Sequence, residues 1–470
     1  MKVKQKSFDL KNFSVKITKC LIYKYKKMEV PQKVRWMQDI YWEYQRYFTF
    51  IKKVSRHEFR KNWFTRISTP ILEKVELIKR SIWEETDIVS KEMYNLLDKK
   101  WRELVMKPES TASIMRAYIE SFLEETQPVY LYYIEPHFRY ERPQKWRYRQ
   151  FHQVWAEIIW EIDPVLDAKM IYIWKSILDS IWLKWTFKVK LNSIWTVKER
   201  EKYIEAIKDF FSNKKQHLDE NDLARLEKNP LRILDSKNPD TQELLKFAPK
   251  ISQFLKKESK EFYEKVKEYL DVLWVEYIED HTLVRWLDYY CHTVWEFVDF
   301  SWRSQDALWW WWRYDELSKS IWHKTSIPAV WFAFWAERLI EHIMEAWVTL
   351  KNKDKIQLYF IQLWDDAKKI VLPLNIEARN KWLNSLLSLW TPSLKVQMKK
   401  ANKISAKFVA IVWIMEAKQW VCQLKDMESW TQEEVKLDKL LEHVISKVWK
   451  ENLDFYDPAK DFIINNPSIC

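Results

Sequence analysis

The chain has 470 residues, 79 Lys plus Arg against 67 Asp plus Glu, and a formal charge of +12. That length calls for two to four domains, and the basic balance suits a phosphate-rich partner such as RNA. The four cysteines (Cys20, Cys291, Cys422, Cys470) stand far apart with no CxxC pair, which argues against a disulfide framework and against zinc. No run is apolar and long enough for a membrane span or a secretory signal, so a cytoplasmic protein is expected.

Residues 1–30 are Lys-rich and without a clear period, an N-terminal extension of no assigned role. Aromatic and aliphatic spacing over 42–61 predicts a helix, and the segment from Phe64 to Pro70 turns β-like. Alternating apolar and polar residues predict strands at 129–135, 137–142, 150–159 and 186–194. Residues 197–270 carry Lys, Glu and Leu at helical spacing. A strand is expected at 292–300 and a strand leading into a helix at 326–346. The charged connector KNKDK, 351–355, opens a second unit. There IQLYFIQL reads as a strand, 365–387 as a helix, LKVQMKKANK as a helix, AKFVAIVW as a strand and 431–447 as a closing helix. The fold class expected is α+β, an antiparallel sheet flanked by helices, followed by a smaller α/β domain and a tail, 450–470. The lysines of 395–407 suit a solvated face or an RNA-facing patch equally.

One anomaly cuts across these elements: the chain has no glycine and 31 tryptophans. Ordinary usage would supply about 7% glycine, roughly 33 residues. Tryptophan also stands where a small residue makes physical sense, as in the four consecutive indoles of ALWWWWRYDEL. The tryptophan letters are read here as glycine, from a gene whose UGA codons mean glycine. A literally Trp-rich binding module is the alternative.

With that reading, several segments together resemble histidyl-tRNA synthetases, a family of class II aminoacyl-tRNA synthetases. TPILEK resembles class II motif 1, KPESTASIMRAY (107–118) the family's PEGTA segment, and FRYERPQKWRYRQFHQ (138–153) motif 2 with its loop. LVRWLDYY (283–290) resembles the RGLDYY signature, ALWWWWRYDEL (307–317) the glycine-rich RYDGL segment, and AVWFAFWAERL (329–339) motif 3. SLKVQMKKANK and LKDMESWTQEEV resemble the family's C-terminal domain. Trp146, Trp286, Trp311, Trp312, Trp331 and Trp335 all fall on glycines of the family pattern.

The resemblance implies a class II antiparallel sheet in a catalytic domain over 31–350, with 197–270 a helical insertion, and an anticodon-binding α/β domain over 351–449. It implies a homodimer, the substrates L-histidine, ATP with its Mg2+, and tRNA(His), and no protein-bound metal. Arg139 and Arg285 would be catalytic, on either side of the α-phosphate. ATP would further meet Glu141, Phe151 and Arg338. Histidine would meet Glu109, Ser110, Thr111, Arg139, Gln153, Glu157, Arg285, Tyr289, Tyr290 and Tyr314. Arg142, Lys145, Arg147 and Arg149 would meet the tRNA acceptor end. Three positions depart from the family pattern: Ser110 and Glu316 replace glycines, and Cys291-His292 stands where Asn-Arg is usual. A regulatory paralogue of histidine biosynthesis is a second alternative, although such paralogues typically lack the C-terminal domain.

Overall fold

Two ten-residue stretches of alternating pattern, Val129–Phe138 (β5) and Gln150–Ile159 (β6), pair antiparallel along their whole length. They centre a computed structural model that describes residues 32–464, apart from 82–87, 124, 141–147, 182, 184–186, 195, 285–290, 300–308, 347, 351–355, 382, 389–392 and 449–461. The chain divides into two compact units, one reaching Glu341 without 179–182, the other comprising 179–182 and everything from His342.

The first unit holds an eight-stranded sheet. Its other strands are β1 (Thr65–Arg66), β7 (Phe187–Ser193), β8 (Tyr277–Glu279), β9 (Cys291–Asp299), β10 (Trp309–Arg313) and β11 (Ala329–Trp335), in the order β1-β5-β6-β11-β10-β9-β7-β8. The two outermost pairs are parallel and all inner pairs antiparallel. A small antiparallel sheet, β2 (Leu72–Lys74), β4 (Glu103–Met106) and β3 (Tyr94–Leu97), stands beside it. One face of the large sheet packs on helices: Phe59 of Trp42–Lys61 lies 4.9 Å from Tyr132 and 5.8 Å from Phe332, and Trp174 of Pro164–Ser180 lies 4.3 Å from Phe334. Helices alternate with short 3-10 turns from Val197 to Val272. Glu199 ties the insertion together, closing a capping box with Thr196 and accepting from Lys256 N and Ser259 Oγ.

The second unit carries a five-stranded sheet, β14-β13-β15-β16-β17, and a two-stranded ladder, β12-β18. The strands are β12 (Val348–Leu350), β13 (Leu358–Gln362), β14 (Ser385–Leu387), β15 (Phe408–Val412), β16 (Val421–Asp426), β17 (Gln432–Lys436) and β18 (Phe462–Ile464). β13 lies parallel between β14 and β15, and it is buried on both sides: Leu358 and Phe360 join one core, Tyr359 and Ile361 the other. Two expectations fail here. The helix from Asp365 ends at Asn380, and 385–387 is a strand. The closing helix begins only at Leu440, because Asp426 accepts from Glu428 N and Ser429 N, turning the chain so that 432–436 pairs with β16.

Helix ends expose the tryptophan anomaly. After Trp42–Lys61, Trp63 N donates to Arg60 O and Phe64 N to Phe59 O, the bond pair of a Schellman motif with Trp63 at its left-handed position, φ 69°. Trp274 repeats this after Lys257–Val272, with φ 55°, and Trp322 after Leu317–Ser320, with φ 74°. Nine of the eleven non-glycine residues with positive φ, among those described, are tryptophans. A Cβ is penalised there and glycine is the usual occupant. Trp63 and Trp274 are also 85% and 89% exposed, so no packing offsets the strain.

In one background, glycine at 63 and 274 should therefore stabilise the chain over tryptophan at both. The expected gain is about 1–2 kcal/mol per site, read from thermal midpoints. A midpoint unchanged or higher with tryptophan contradicts the turn assignment.

Candidate active site

Strand alternation puts Phe151, Gln153, Trp155 and Glu157 on one face of β6, opposite the packed face. Register adds His137, Glu135 and Tyr133 from β5, and Trp335, Ala333 and Trp331 from β11. All are directly cross-strand neighbours, so polar groups from β5 and β6 converge over one patch of sheet beside the rings of β11.

The segment from Lys107 to Ser110 forms one rim and leads into the helix Thr111–Ser121. Four links clamp it to the end of β5. Lys107 Nζ bonds the Glu135 carboxylate, Phe138 N donates to Lys107 O at 3.1 Å, Arg139 Nε donates to Pro108 O at 2.8 Å, and Ser110 Oγ lies 2.6 Å from His137 Nε2. The fully buried His137 is held neutral, its pKa pushed well down by burial and then by the charges of Lys107 and Arg139. Glu109 accepts from Thr111 N at 2.6 Å and Ala112 N at 3.1 Å. Burial nevertheless outweighs those bonds and the pull of Arg139, and raises its pKa.

Glu157, 1% exposed, lies at the centre, and Tyr314 donates its hydroxyl to Glu157 Oε2 at 2.5 Å. Burial drives its pKa well above the carboxylate range, and the neighbouring Glu109 adds to the rise. Gln153 Oε1 is buried without a hydrogen-bond partner among the described residues. A set of buried, under-satisfied polar groups is what a polar ligand would complete.

Rings fill the space above them. Trp155 and Trp331 stack with centroids 3.8 Å apart, Tyr133 stacks on Trp155 at 5.5 Å, and Phe151 meets Trp335 at 4.4 Å. The Arg338 guanidinium sits 4.2 Å from the Trp335 ring, and that of Arg139 sits 5.3 Å from Phe151.

The structure thus brings together Glu109, Ser110, Thr111, Arg139, Phe151, Gln153, Glu157, Tyr314 and Arg338 on one side of the sheet. Arg149, expected at the tRNA, packs its guanidinium 3.5 Å over Tyr140. Glu141, Arg142, Lys145, Arg147, Arg285, Tyr289 and Tyr290 lie outside the described residues.

Comparison with known proteins gives the family. The family described as tRNA synthetase class II core domain (G, H, P, S and T) matches residues 94–303. A histidine–tRNA ligase of Halothermothrix orenii is 37% identical over 396 residues, covering 84% of this chain and 94% of its own. The Bacillus subtilis histidine–tRNA ligase is 37% identical over 400 residues, with the same coverage of 84% and 94%. The chain belongs to the histidyl-tRNA synthetase family. Apo histidyl-tRNA synthetase of S. aureus superposes with a TM-score of 0.74 at 29% identity, over 88% of this chain and all of that one. The fold is the class II synthetase α+β architecture that the motifs implied.

Some groups of this synthetase site went unforeseen. His137 and the Lys107–Glu135 pair join a loop to a strand across 27 and 28 residues, and no local period marks such a link. Cys291, His292 and Asp315 also come together, with ligand atoms all within 4.8 Å of one another. Among the described residues, no helix is long and apolar enough to cross a membrane.

The pKa directions give a stability prediction. Glu157 holds its proton in the fold beyond the pH at which the unfolded chain releases it. Its stabilisation is complete below the unfolded pKa and is lost as pH rises through the folded one. Glu157→Gln should therefore raise the thermal midpoint at neutral pH while abolishing activity. His137 behaves oppositely: it stays neutral where the unfolded chain gains a proton, so stability falls as pH drops below about 6.5. A midpoint that Glu157→Gln lowers at pH 8 contradicts the first assignment.

Proposed function

We infer that this chain attaches L-histidine to tRNA(His), using ATP and passing through histidyl-adenylate. The observation that carries the reading is the convergence of Glu157 with Tyr314, Glu109 with Thr111, and Arg139 on one face of the sheet. An acid that keeps its proton and a tyrosine hydroxyl suit an imidazole, which has one donor and one acceptor nitrogen. Glu109, with Thr111 and Gln153 beside it, suits the substrate's ammonium group. A pocket lined this way rejects amino acids that leave its buried groups unpaired.

For the first step, the histidine carboxylate attacks the α-phosphorus of ATP and pyrophosphate leaves. That carboxylate is already ionised, so no base is required. Arg139, and Arg285 from the signature segment, would meet the charge growing on the α-phosphate from two sides. Arg338 and Phe151 would enclose the adenine and Glu141 would accept from its amino group. Mg2+ would arrive with the nucleotide and shield its phosphates. Ser110, anchored on His137, would keep the amino-group loop in register with Arg139.

Transfer then requires tRNA(His). The loop bearing Arg142, Lys145, Arg147 and Arg149 is suited to the acceptor end. Lys395, Lys399, Lys400 and Lys403, exposed on the helix Leu394–Lys403, are suited to phosphates nearer the anticodon. We assign the catalytic role to 31–350 and anticodon binding to 351–449, in a cytoplasmic homodimer built through motif 1.

Glycine at the 31 tryptophan positions belongs to the same proposal. What supports it is the set of left-handed turns, with the Trp155–Trp331 stack and the Trp335–Phe151 contact beside the polar groups. Indoles there occupy the room an amino acid and a nucleotide need, whereas hydrogen atoms would leave it open.

Histidine-dependent exchange of pyrophosphate into ATP tests the function. A chain with glycine at all 31 positions should exchange and should charge tRNA(His). Arg139→Ala should lower exchange by about 10²–10³. A chain made with tryptophan throughout should do neither. Exchange absent from the glycine form, or equal in the Arg139→Ala variant, contradicts the mechanism. A regulatory paralogue would show no exchange at all.

A further inference from the structure

Consecutive side chains of a strand point to opposite faces. Cys291 and His292 open β9, yet their ligand atoms and a carboxylate oxygen of Asp315 share one small volume, all within 4.8 Å. The backbone shows how. His292 has φ 54°, in the left-handed region that a residue with a Cβ seldom enters, and the β9–β10 ladder slips at the same place. Arg313 faces Cys291 while Trp312 faces Val294, so His292 and Thr293 form a bulge. Two bonds to the His292 carbonyl hold it there, from Ile194 N at 2.8 Å and Ser193 Oγ at 3.2 Å. Strain of this kind persists where a local arrangement needs it.

Of the side chains left facing one another, Cys291 and Asp315 are hydrogen-bonded to each other and His292 is under-satisfied. His292 Nδ1 is buried without a hydrogen-bond partner among the described residues. His292 Nε2 stands 3.7 Å from Asp315 Oδ2. That is too long for a hydrogen bond and close to the spacing of two ligands on one tetrahedral ion, roughly 3.3–3.6 Å for bonds of about 2.0–2.3 Å. The other Asp315 oxygen is engaged elsewhere, accepting from Ala329 N at 3.3 Å and lying 3.7 Å from Arg313 Nε. Arg313 is turned to Asp167, which its Nη1 meets at 2.7 Å. Two buried carboxylates therefore face one buried guanidinium. A thiolate and a dication added to them would bring the cluster to neutrality.

We propose that Cys291 Sγ, His292 Nε2 and Asp315 Oδ2 bind one borderline-soft divalent cation of the zinc class, with water as the fourth ligand. The mixed sulfur, nitrogen and oxygen set suits such an ion better than magnesium or calcium. Binding releases the thiol proton to solvent and leaves the imidazole neutral. The ion would pin the start of β9, directly after the signature segment 285–290, to the end of β10. It also reverses the expectation, drawn from cysteine spacing alone, that zinc has no place in this chain.

The test is cobalt titration of the full-length protein, purified without chelator and stripped of metal. One equivalent should bind, with a near-ultraviolet thiolate-to-cobalt band that Cys291→Ser removes and zinc displaces. Asp315→Asn should weaken binding about tenfold or more at an unchanged circular dichroism spectrum. Failure of the intact chain to take up cobalt with a thiolate band overturns the site. So does a band that Cys291→Ser retains, which would place the metal on another cysteine. If Cys291→Ser does not fold, the intact chain's stoichiometry and Asp315→Asn decide. None of these readings depends on aminoacylation, so the site can fail while the synthetase assignment stands.

Discussion

The room above one face of β5, β6 and β11 is the constraint on which the first unit depends. The far face is filled by Phe59, Tyr132, Trp174, Phe332 and Phe334, and this packing fixes which way Gln153 and Glu157 point. Once they point to the near face, whatever covers that face decides whether it is a core or a binding site. With indoles at 155, 331 and 335, Trp155 stacks on Trp331, Trp335 packs on Phe151, and the sheet becomes a two-sided core. With hydrogen atoms there, the same backbone leaves two arginines and two buried acids around a cavity.

The clamp from Lys107 to Ser110 supplies the second requirement, a fixed distance between Glu109 and Arg139, the groups proposed to hold the amino acid and the phosphate. Its links tie the loop to β5 through both backbone and side chains, so Glu109 and Arg139 move as one body. Neutral His137 is part of this. A charged imidazole beside Lys107 and Arg139 would put three positive groups together in a buried volume, and burial forbids that first. Ser110 departs from the family's glycine, and its hydroxyl joins this clamp, 2.6 Å from His137 Nε2.

Much of the fold was legible in the sequence because its elements are long and regular. The helix over 42–61 and the strand over 150–159 have the bounds that their periods indicate. Elements set by a single turn were not legible. The hairpin of β16 and β17 depends on an aspartate folding the chain back, and the pattern of 431–447 alone suits a helix equally well. The candidate site was legible through motif order: nine of the residues it named, from Glu109 to Arg338, lie on one side of the sheet. His137 and the Cys291–His292–Asp315 cluster were not, since one depends on a contact between distant segments and the other on a left-handed backbone that no residue type announces.

The proposal that the tryptophans of the printed chain are glycine in the folded enzyme is decided by mass. Purified from its native source, the protein should weigh several kilodaltons less than the 58.1 kDa of the printed sequence, with peptides covering 63, 155, 274 and 331 carrying glycine. An intact mass of 58.1 kDa, with indole at those positions, would contradict the account at its root.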